Sequence, residues 1–216
     1  MCADRRAATP REAALTAEAC AEMLSVSRET LERLQVYVDL LARWNSRINL
    51  VSTASLNDVW RRHILDSGQL IRHIDRGAQV LVDLGSGAGL PGLVLGILGV
   101  PNVHLVEADQ RKAAFLREAA RLTKTPATIH ATRIEAATPV PAHVVTARAL
   151  APLSVLLEWS SRFVTEATIC LFPKGRDLHN ELTAVRQKWI MRTQILASLS
   201  DQTSYILRVE GLHVAN

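Results

Sequence analysis

Residues 80–92 constrain the fold of this chain more than any other stretch. An apolar run from Val80 to Val82 ends at Asp83, and glycines follow at positions 85, 87 and 89. Such β-branched apolar runs are typical of buried parallel strands. Glycine lets the backbone turn sharply and approach a ligand without a Cβ, and Pro91 suits the first turn of a helix. The stretch predicts a strand, a glycine turn and a helix N-terminus, which together form a cofactor cradle.

Two cofactors compete for this cradle. Residues 87–92 fit the dinucleotide pattern G-x-G-x-x-G, which alone is weak evidence. An acidic residue two positions before the first glycine, here Asp83, suits a ligand that carries an ammonium group, as S-adenosylmethionine does. We therefore favour S-adenosylmethionine over a nicotinamide dinucleotide. The cofactor-binding residues predicted from the cradle are Asp83, Gly85, Gly87 and Gly89.

A second strand places another carboxylate near the cradle. Residues 103–106 are apolar apart from His104 and end at Glu107, 20 residues after Gly87. A carboxylate at that strand end can accept hydrogen bonds from both ribose hydroxyls of either cofactor. Glu107 is therefore a further predicted cofactor-binding residue.

The patterning divides the chain into three parts. Residues 1–12 are predicted to be a disordered tail, and residues 13–78 a helical segment packed on the core. Thr16 and Ser27 are predicted N-caps, and Ser55 to Asp58 resemble a capping box before a third helix. Residues 79–216 alternate between strands and helices, which predicts a parallel sheet covered on both faces.

The predicted elements of the last part end in a hairpin. Strands are predicted at 79–84, 102–107, 127–131, 143–148, 167–172, 190–198 and 203–210, and helices at 90–98, 110–122, 152–163 and 176–188. The last two strands have little sequence between them, which indicates an antiparallel pair. The predicted fold is α/β and Rossmann-like: a seven-stranded, mostly parallel sheet with an N-terminal helical extension, as in class I S-adenosylmethionine-dependent methyltransferases.

The cysteines, the apolar runs and the charge distribution indicate the cellular compartment and the kind of partner. The three cysteines are isolated, which predicts a reducing cytoplasm and no metal site, and no apolar run is long enough to span a membrane. The net charge is +4, but residues 110–133 carry six basic side chains against Glu118 alone. A second basic stretch covers residues 43–63. Two such stretches beside one cofactor motif favour a nucleic-acid partner.

Several segments resemble one family. These are Tyr37 to Val51, with Trp44-Asn45 and Asn49-Leu50, then Arg62 to Ser67, Asp83 to Gly92, Arg111 to Glu118, Ala147-Arg148-Ala149 and Lys174-Gly175. In this order they resemble the bacterial small-subunit ribosomal RNA guanine-N7 methyltransferases, also called glucose-inhibited division protein B, over about residues 30–210. Many members carry Phe where this chain has Leu90, which is a mild departure.

The resemblance implies an enzyme with S-adenosyl-L-methionine as donor that methylates N7 of one guanine in 16S ribosomal RNA of the small ribosomal subunit. A small-molecule methyltransferase and a nicotinamide-dependent oxidoreductase are the alternatives. By position, Gly85, Leu90, Ile134, Glu135 and Arg148 match cofactor-site residues of the family. We expect a cytoplasmic monomer without a metal or a membrane anchor.

The chemistry limits what the catalytic residues must do. Guanine N7 holds a lone pair and no proton, so methyl transfer needs no general base, and catalysis can depend on positioning and electrostatics. Arg148 and Lys174, each at a predicted strand end, are the predicted catalytic positioning residues. Asn45 and Asn49 either bond the guanine edge or fix a turn. The predicted RNA-binding residues are Arg43, Asn45, Arg47, Asn49, Arg111, Lys112 and Lys174.

Overall fold

The computed structural model describes residues 13–215. The predicted disordered tail, residues 1–12, therefore lies outside the described residues. The helical segment contains α1 (Ala17–Leu24), α2 (Arg28–Asn45), α3 (Thr53–Leu56), a π-helix (Trp60–Leu65), α4 (Asp66–Gly68) and a 3₁₀ helix (Gln69–His73). The remainder contains β1 (Val80–Leu84), α5 (Gly92–Ile97), β2 (Asn102–Val106), α6 (Gln110–Leu122), β3 (Ala127–His130), a 3₁₀ turn (Ile134–Ala136), β4 (Val144–Thr146), α7 (Leu153–Ser160), β5 (Ile169–Lys174), α8 (Leu178–Val185), β6 (Trp189–Ala197) and β7 (Tyr205–Val214).

The starts of the first helices follow from their capping residues. The side chains of Thr16 and Ser27 accept hydrogen bonds from backbone amides in the first turns of α1 and α2, as predicted. The capping box predicted at Ser55 to Asp58 was wrong. The helix that follows, Trp60–Leu65, has no side-chain cap, and the hydroxyl of Ser52 instead accepts a hydrogen bond from the amide N–H of Ser55 at 3.3 Å to cap the separate short helix α3.

The seven strands form one sheet in the order β3-β2-β1-β4-β5-β7-β6. The first five strands in this order are parallel, and β7 pairs antiparallel with both β5 and β6. The predicted mostly parallel, seven-stranded sheet with a closing hairpin is confirmed. A dinucleotide-binding sheet has the order 3-2-1-4-5-6 without an inserted antiparallel strand. This topology therefore disfavours the dinucleotide interpretation of the glycine motif.

Some predicted elements are shorter in the structure. The strand predicted at 143–148 ends at Thr146, and Ala149 adopts a left-handed conformation with φ of 50°. Arg148 therefore lies in a turn just beyond the strand rather than in it. The helix predicted at 90–98 spans only Gly92–Ile97.

The helical segment and the sheet share one hydrophobic core. Leu34 and Ile64 from the helices lie in the same buried cluster as Leu93, Leu105 and Phe115. The hydroxyl of Tyr37 also donates a hydrogen bond to the carbonyl oxygen of residue 88, at 2.7 Å, within the glycine turn.

A second buried cluster covers the other face of the sheet and includes Leu153, Phe163 and Phe172. With both faces covered, polar groups can gather at the edge where the parallel strands end, which is where open α/β sheets bind ligands.

Candidate functional site

The glycine turn after β1 forms one wall of a cavity. Gly85, Gly87 and Gly89 all have positive φ, at 63°, 55° and 84°, a conformation that favours glycine. At Gly85 a Cβ would also collide with the side chain of Leu150, whereas a Cβ at Gly87 would find no heavy atom nearer than 3.9 Å. The backbone at Gly87 is therefore open to a ligand.

We call this space the glycine-loop cavity. It has a volume of about 470 Å³, within the range usual for small-molecule and cofactor sites. Its lining includes the predicted cofactor residues Gly85, Gly87, Leu90, Glu107, Ile134, Glu135 and Arg148, and also Lys112 and Trp159. The structure thus brings together, around one cavity, residues from the ends of β1, β2 and β4 and from the 3₁₀ turn after β3.

Glu107 ties the glycine turn to the following strand. Its Oε2 accepts the amide N–H of Gly87 at 2.8 Å, and its Oε1 accepts that of Asp109, also at 2.8 Å. Glu107 is 8 % exposed. An ionised carboxylate has about four acceptor positions, so Glu107 can hold the loop and still accept hydrogen bonds from a ligand.

Asp83 lies beneath the cavity rather than on its wall. It is fully buried. Its Oδ1 accepts a hydrogen bond from the hydroxyl group of Thr146 at 2.7 Å, whereas its Oδ2 has no hydrogen-bond partner. Burial raises the pKa of Asp83 to about 6. A Cβ at Gly92 would come within 2.5 Å of the Asp83 Cβ, so the first turn of α5 packs directly over this carboxyl group. Direct contact between Asp83 and a ligand stays a prediction.

The 3₁₀ turn after β3 supplies another part of the cavity wall. Ile134 is buried, and the carboxylate of Glu135 accepts a hydrogen bond from the indole N–H of Trp159 at 3.1 Å. Arg162 donates to the carbonyl oxygens of Ile134 and of residue 137. These bonds fix the turn to α7, which no motif in the sequence indicated.

Arg148 lies between two cavities. It lines the glycine-loop cavity and also a neighbouring one of about 500 Å³. The lining of the second cavity, which we call the Lys174 cavity, includes Ser52, Ser55, Arg62, His63, Asp66, Lys174, Glu181, Ser200 and Asp201. The two spaces share Leu50, Val51, Arg148 and Ala149. A group in one cavity can therefore lie close to a group in the other.

A hydrogen-bonded chain from the helical segment holds Arg148. Its NH1 donates to Oδ2 of Asp66 at 2.9 Å, and its NH2 lies 3.1 Å from Nδ1 of His63. Nε2 of His63 lies 2.8 Å from the hydroxyl oxygen of Ser55. Burial, together with the positive charges of Arg148 and Arg62, lowers the pKa of His63 to about 4. His63 is therefore neutral at pH 7, which lets Nδ1 accept from Arg148 while Nε2–H donates to Ser55.

Lys174 forms a well-shielded ion pair in its cavity. Nζ lies 2.6 Å from Oε2 of Glu181, and the two side chains are only 9 % and 22 % exposed. The same Glu181 oxygen accepts the amide N–H of Leu153 at the start of α7. Sequence reasoning missed Glu181. The signal was an acidic residue in the first turn of the helix that follows the Lys174 strand end.

The predicted RNA-binding residues divide into three groups. Oδ1 of Asn45 accepts the amide N–H groups of Leu50 and Val51, both at 2.9 Å, which matches the turn-fixing alternative. By contrast, Arg43, Arg47, Asn49 and Arg111 are exposed. Lys112 lines the glycine-loop cavity and Lys174 the cavity named after it. RNA contact by each of these residues stays a prediction.

Two types of feature are not found within residues 13–215. No helix there combines the length and the apolar character needed to cross a membrane. No group of three or more His, Cys, Asp or Glu side chains in that range is arranged to hold a metal ion.

Comparisons with known proteins identify the family. Residues 30–205 match the family model for rRNA small subunit methyltransferase G. A curated relative from Rhodospirillum centenum, the ribosomal RNA small subunit methyltransferase G, is 57 % identical over 187 residues, covering 87 % of each chain. This chain belongs to that family. The predicted family resemblance is confirmed, and the protein is a methyltransferase.

Solved structures agree on the fold. A putative O-methyltransferase from Klebsiella pneumoniae matches with a TM-score of 0.59 at 12 % identity, covering 92 % of this chain and 97 % of that one. A mutant of MtNAS in complex with S-adenosylmethionine matches with a TM-score of 0.55 at 13 % identity, covering 91 % of this chain and 84 % of that one. The predicted class I methyltransferase fold is confirmed.

Proposed function

We propose that this protein transfers a methyl group from S-adenosylmethionine to N7 of one guanine in 16S ribosomal RNA. The observation that carries the proposal is the pair of adjoining cavities, which meet at Arg148 and Ala149. The glycine-loop cavity would hold the donor, and the Lys174 cavity would receive the target nucleotide. Family membership supports the ribosomal RNA substrate.

The residues around the glycine-loop cavity fit the donor. The open backbone at Gly87 and the free acceptor positions of Glu107 suit a ribose, and the wall formed by Ile134 and Glu135 suits an adenine ring. The donor supplies an electrophilic methyl group on a positively charged sulfur. The buried carboxyl group of Asp83 precedes the first glycine of the loop by two residues, and its unpartnered Oδ2 gives it spare capacity to interact with a cation.

Positioning by this chain can account for the reaction without a base. Guanine N7 attacks through its lone pair and has no proton to lose. His63 is neutral, and both of its ring nitrogens are hydrogen-bonded, so it is suited to anchoring Arg148 rather than to proton transfer. Arg148 is held from the helical segment at the junction of the cavities. A target base has to be taken out of its stack to reach such a recessed site, as in other base-modifying enzymes.

The proposal has two further parts: the protein acts in the cytoplasm, and it acts as a monomer. The substrate class supports the first, since small ribosomal subunits are assembled in the bacterial cytoplasm. The large exposed apolar side chains among the described residues are few and support the second. Sedimentation of the purified protein at micromolar concentration tests the monomer directly.

Labelled methyl transfer tests the proposed function. Purified protein is incubated with S-adenosylmethionine carrying a tritiated methyl group and with small ribosomal subunits from cells that lack this protein. We expect label at one guanine of 16S ribosomal RNA, released on digestion as 7-methylguanosine. Label only in protein or in small metabolites would contradict the proposal.

A further inference from the structure

The ion pair between Lys174 and Glu181 presents a donor beside an acceptor on the wall of the Lys174 cavity. Nζ of Lys174 is 2.6 Å from Oε2 of Glu181, and its only other described acceptor is the carbonyl oxygen of residue 151, at 3.5 Å. An ammonium group has three N–H donors, so one remains for a ligand. Such a shielded pair is costly to desolvate, and selectivity is one use that offsets that cost.

Glu181 is the carboxylate in this cavity that has one oxygen without a hydrogen-bond partner among the described residues. Its Oε2 binds Lys174 and the amide of Leu153, whereas Oε1 has no hydrogen-bond partner among residues 13–215. The cavity's two other carboxylates are more fully engaged. Asp66 uses one oxygen for Arg148 and the other for Ser200.

Asp201 is the remaining carboxylate. Its Oδ1 accepts two hydrogen bonds from Thr203, both at 2.7 Å, and its Oδ2 faces Arg62 at 3.5 Å. It lies in the connection between β6 and β7, which reaches the end of β5 where Tyr205 pairs with Lys174, but both of its oxygens are already engaged. Glu181 is thus the acceptor that the cavity offers to an N–H donor.

We propose that Lys174 and Glu181 together read the Watson–Crick edge of the target guanine, an inference that rests on the proposed function. Guanine presents an acceptor, O6, directly beside two donors, N1–H and N2–H. Nζ of Lys174 would donate to O6, and Oε1 of Glu181 would accept from the adjacent N–H groups. Adenine presents the opposite order, a donor at N6 beside a bare N1, so the same pair rejects it.

This assignment also serves the reaction. O6 lies between N1 and N7 on the purine, so a base held at O6 and N1 keeps its N7 unobstructed. As N7 gains the methyl group, the ring becomes positively charged and N1–H becomes more acidic. The hydrogen bond to the Glu181 carboxylate then strengthens in the transition state, which is the kind of binding that raises kcat.

The test is a double-substitution cycle that combines one change of side chain in the enzyme with one change of base in the RNA. Small-subunit ribosomal RNA is ligated with either guanosine or 2-aminopurine riboside at the methylated position and reconstituted into small ribosomal subunits, the substrate that tests the proposed function. 2-Aminopurine lacks O6 and has a bare N1, which repels a carboxylate but can accept from an amide. We expect the guanosine to 2-aminopurine ratio of kcat/KM to fall by about tenfold or more in Glu181→Gln.

The ratio isolates the proposed contact. Any difference in N7 reactivity between the two bases affects both enzymes alike and cancels. The fluorescence of 2-aminopurine gives a second readout that needs no turnover. The binding affinity for the 2-aminopurine RNA, divided by that for the guanosine RNA, should be higher in Glu181→Gln than in the wild type. Glu158→Gln, which makes the same charge change at a surface pair with Lys188, should keep the wild-type ratio.

The outcomes separate the two proposals. A wild-type enzyme that makes no 7-methylguanosine in the guanosine RNA refutes the proposed function. A wild type that does so, with a ratio unchanged in Glu181→Gln, overturns only the role of Glu181. If Glu181→Gln does not fold, Glu181→Asp, which keeps the charge but withdraws it by one methylene, is measured instead. A wild-type ratio in that variant likewise overturns the inference.

Discussion

At the scale of single residues, the site depends on buried charges whose positions are fixed by hydrogen bonds. Arg148 is held by Asp66 and His63, and Asp83 by Thr146. Because these partners fix the position of each charge, replacing a single side chain should change activity or stability in a direction that the contacts determine.

Replacing Arg148 should separate activity from folding. In Arg148→Ala we expect methyl transfer to fall by about tenfold or more, because a positioned charge at the junction of both cavities is lost. The partner Asp66 is left without its cation, which should cost about 1–3 kcal/mol of stability. Initial rates and urea unfolding measure the two effects.

Arg208→Ala is the matched control for that variant. Arg208 is as buried as Arg148, at 19 % against 17 % exposed, and pairs with Glu210 on β7. It lines neither cavity. The control should lose stability while the folded enzyme keeps its rate, and an equal loss of rate in both variants would remove Arg148 from its assigned position.

The buried carboxyl group of Asp83 gives a prediction for pH. Its folded pKa, about 6, lies above the usual value of 3.8, so the folded state binds more protons between these values and Asp83 costs stability as the pH rises through them. The stability of Asp83→Asn relative to wild type should therefore increase from pH 4 to pH 7, by up to about 3 kcal/mol.

The variant must be compared with wild type at each pH. His63 acts in the opposite direction, since its folded pKa of about 4 makes wild-type stability fall as the pH drops below 6.5. The two effects oppose each other in the wild-type curve, and the difference between the curves isolates Asp83. A difference in unfolding free energy that stays constant from pH 4 to pH 7 would contradict the buried-carboxyl account.

At the scale of elements, the ends of strands and helices decide what each side chain can reach. Arg111 and Lys112 are neighbours in the first turn of α6, whose N-cap is Asp109. The sequence analysis assigned both to RNA binding. The structure separates them, because Arg111 is exposed while Lys112 lines the glycine-loop cavity.

Replacing each of the two residues should therefore weaken the binding of a different ligand. Arg111→Ala should weaken RNA binding and leave the affinity for S-adenosylmethionine unchanged, whereas Lys112→Ala should weaken the binding of the donor. Anisotropy with labelled RNA and calorimetry with the donor measure these affinities. Identical profiles for the two variants would show that the division of α6 is wrong.

The sequence predicted the elements well because each has a local cause. Apolar runs mark β1 and β2, Ser27 caps α2, and the glycines mark the turn. What it could not predict arises from tertiary packing. The partners of Arg148 are 82 and 85 residues away in the chain, and Glu181 meets Lys174 only because α8 folds back over the end of β5.

At the scale of the whole molecule, the fold places the glycine-loop cavity and the Lys174 cavity side by side, and basic side chains line both. The net charge of +4 is modest, but α2 and α6 also carry exposed arginines such as Arg43 and Arg111. The helical segment is part of this arrangement, since it supplies both the anchor of Arg148 and a contact to the glycine turn.

RNA binding should depend steeply on salt. Each phosphate contact releases counterions, so affinity for small-subunit ribosomal RNA should fall by orders of magnitude between about 50 and 200 mM salt if six or more phosphates are contacted. Affinity for S-adenosylmethionine should change far less, because that ligand displaces no condensed counterions. Activity that is insensitive to salt would favour a small-molecule substrate.

The most direct test compares ribosomal RNA from cells with and without this protein. Nucleosides of purified 16S ribosomal RNA are separated and quantified by mass spectrometry, and the position of each methylated guanine is mapped. We expect one 7-methylguanosine to disappear when the protein is absent and to return when the intact chain is supplied. An unchanged set of 7-methylguanosine positions in its absence would contradict the account.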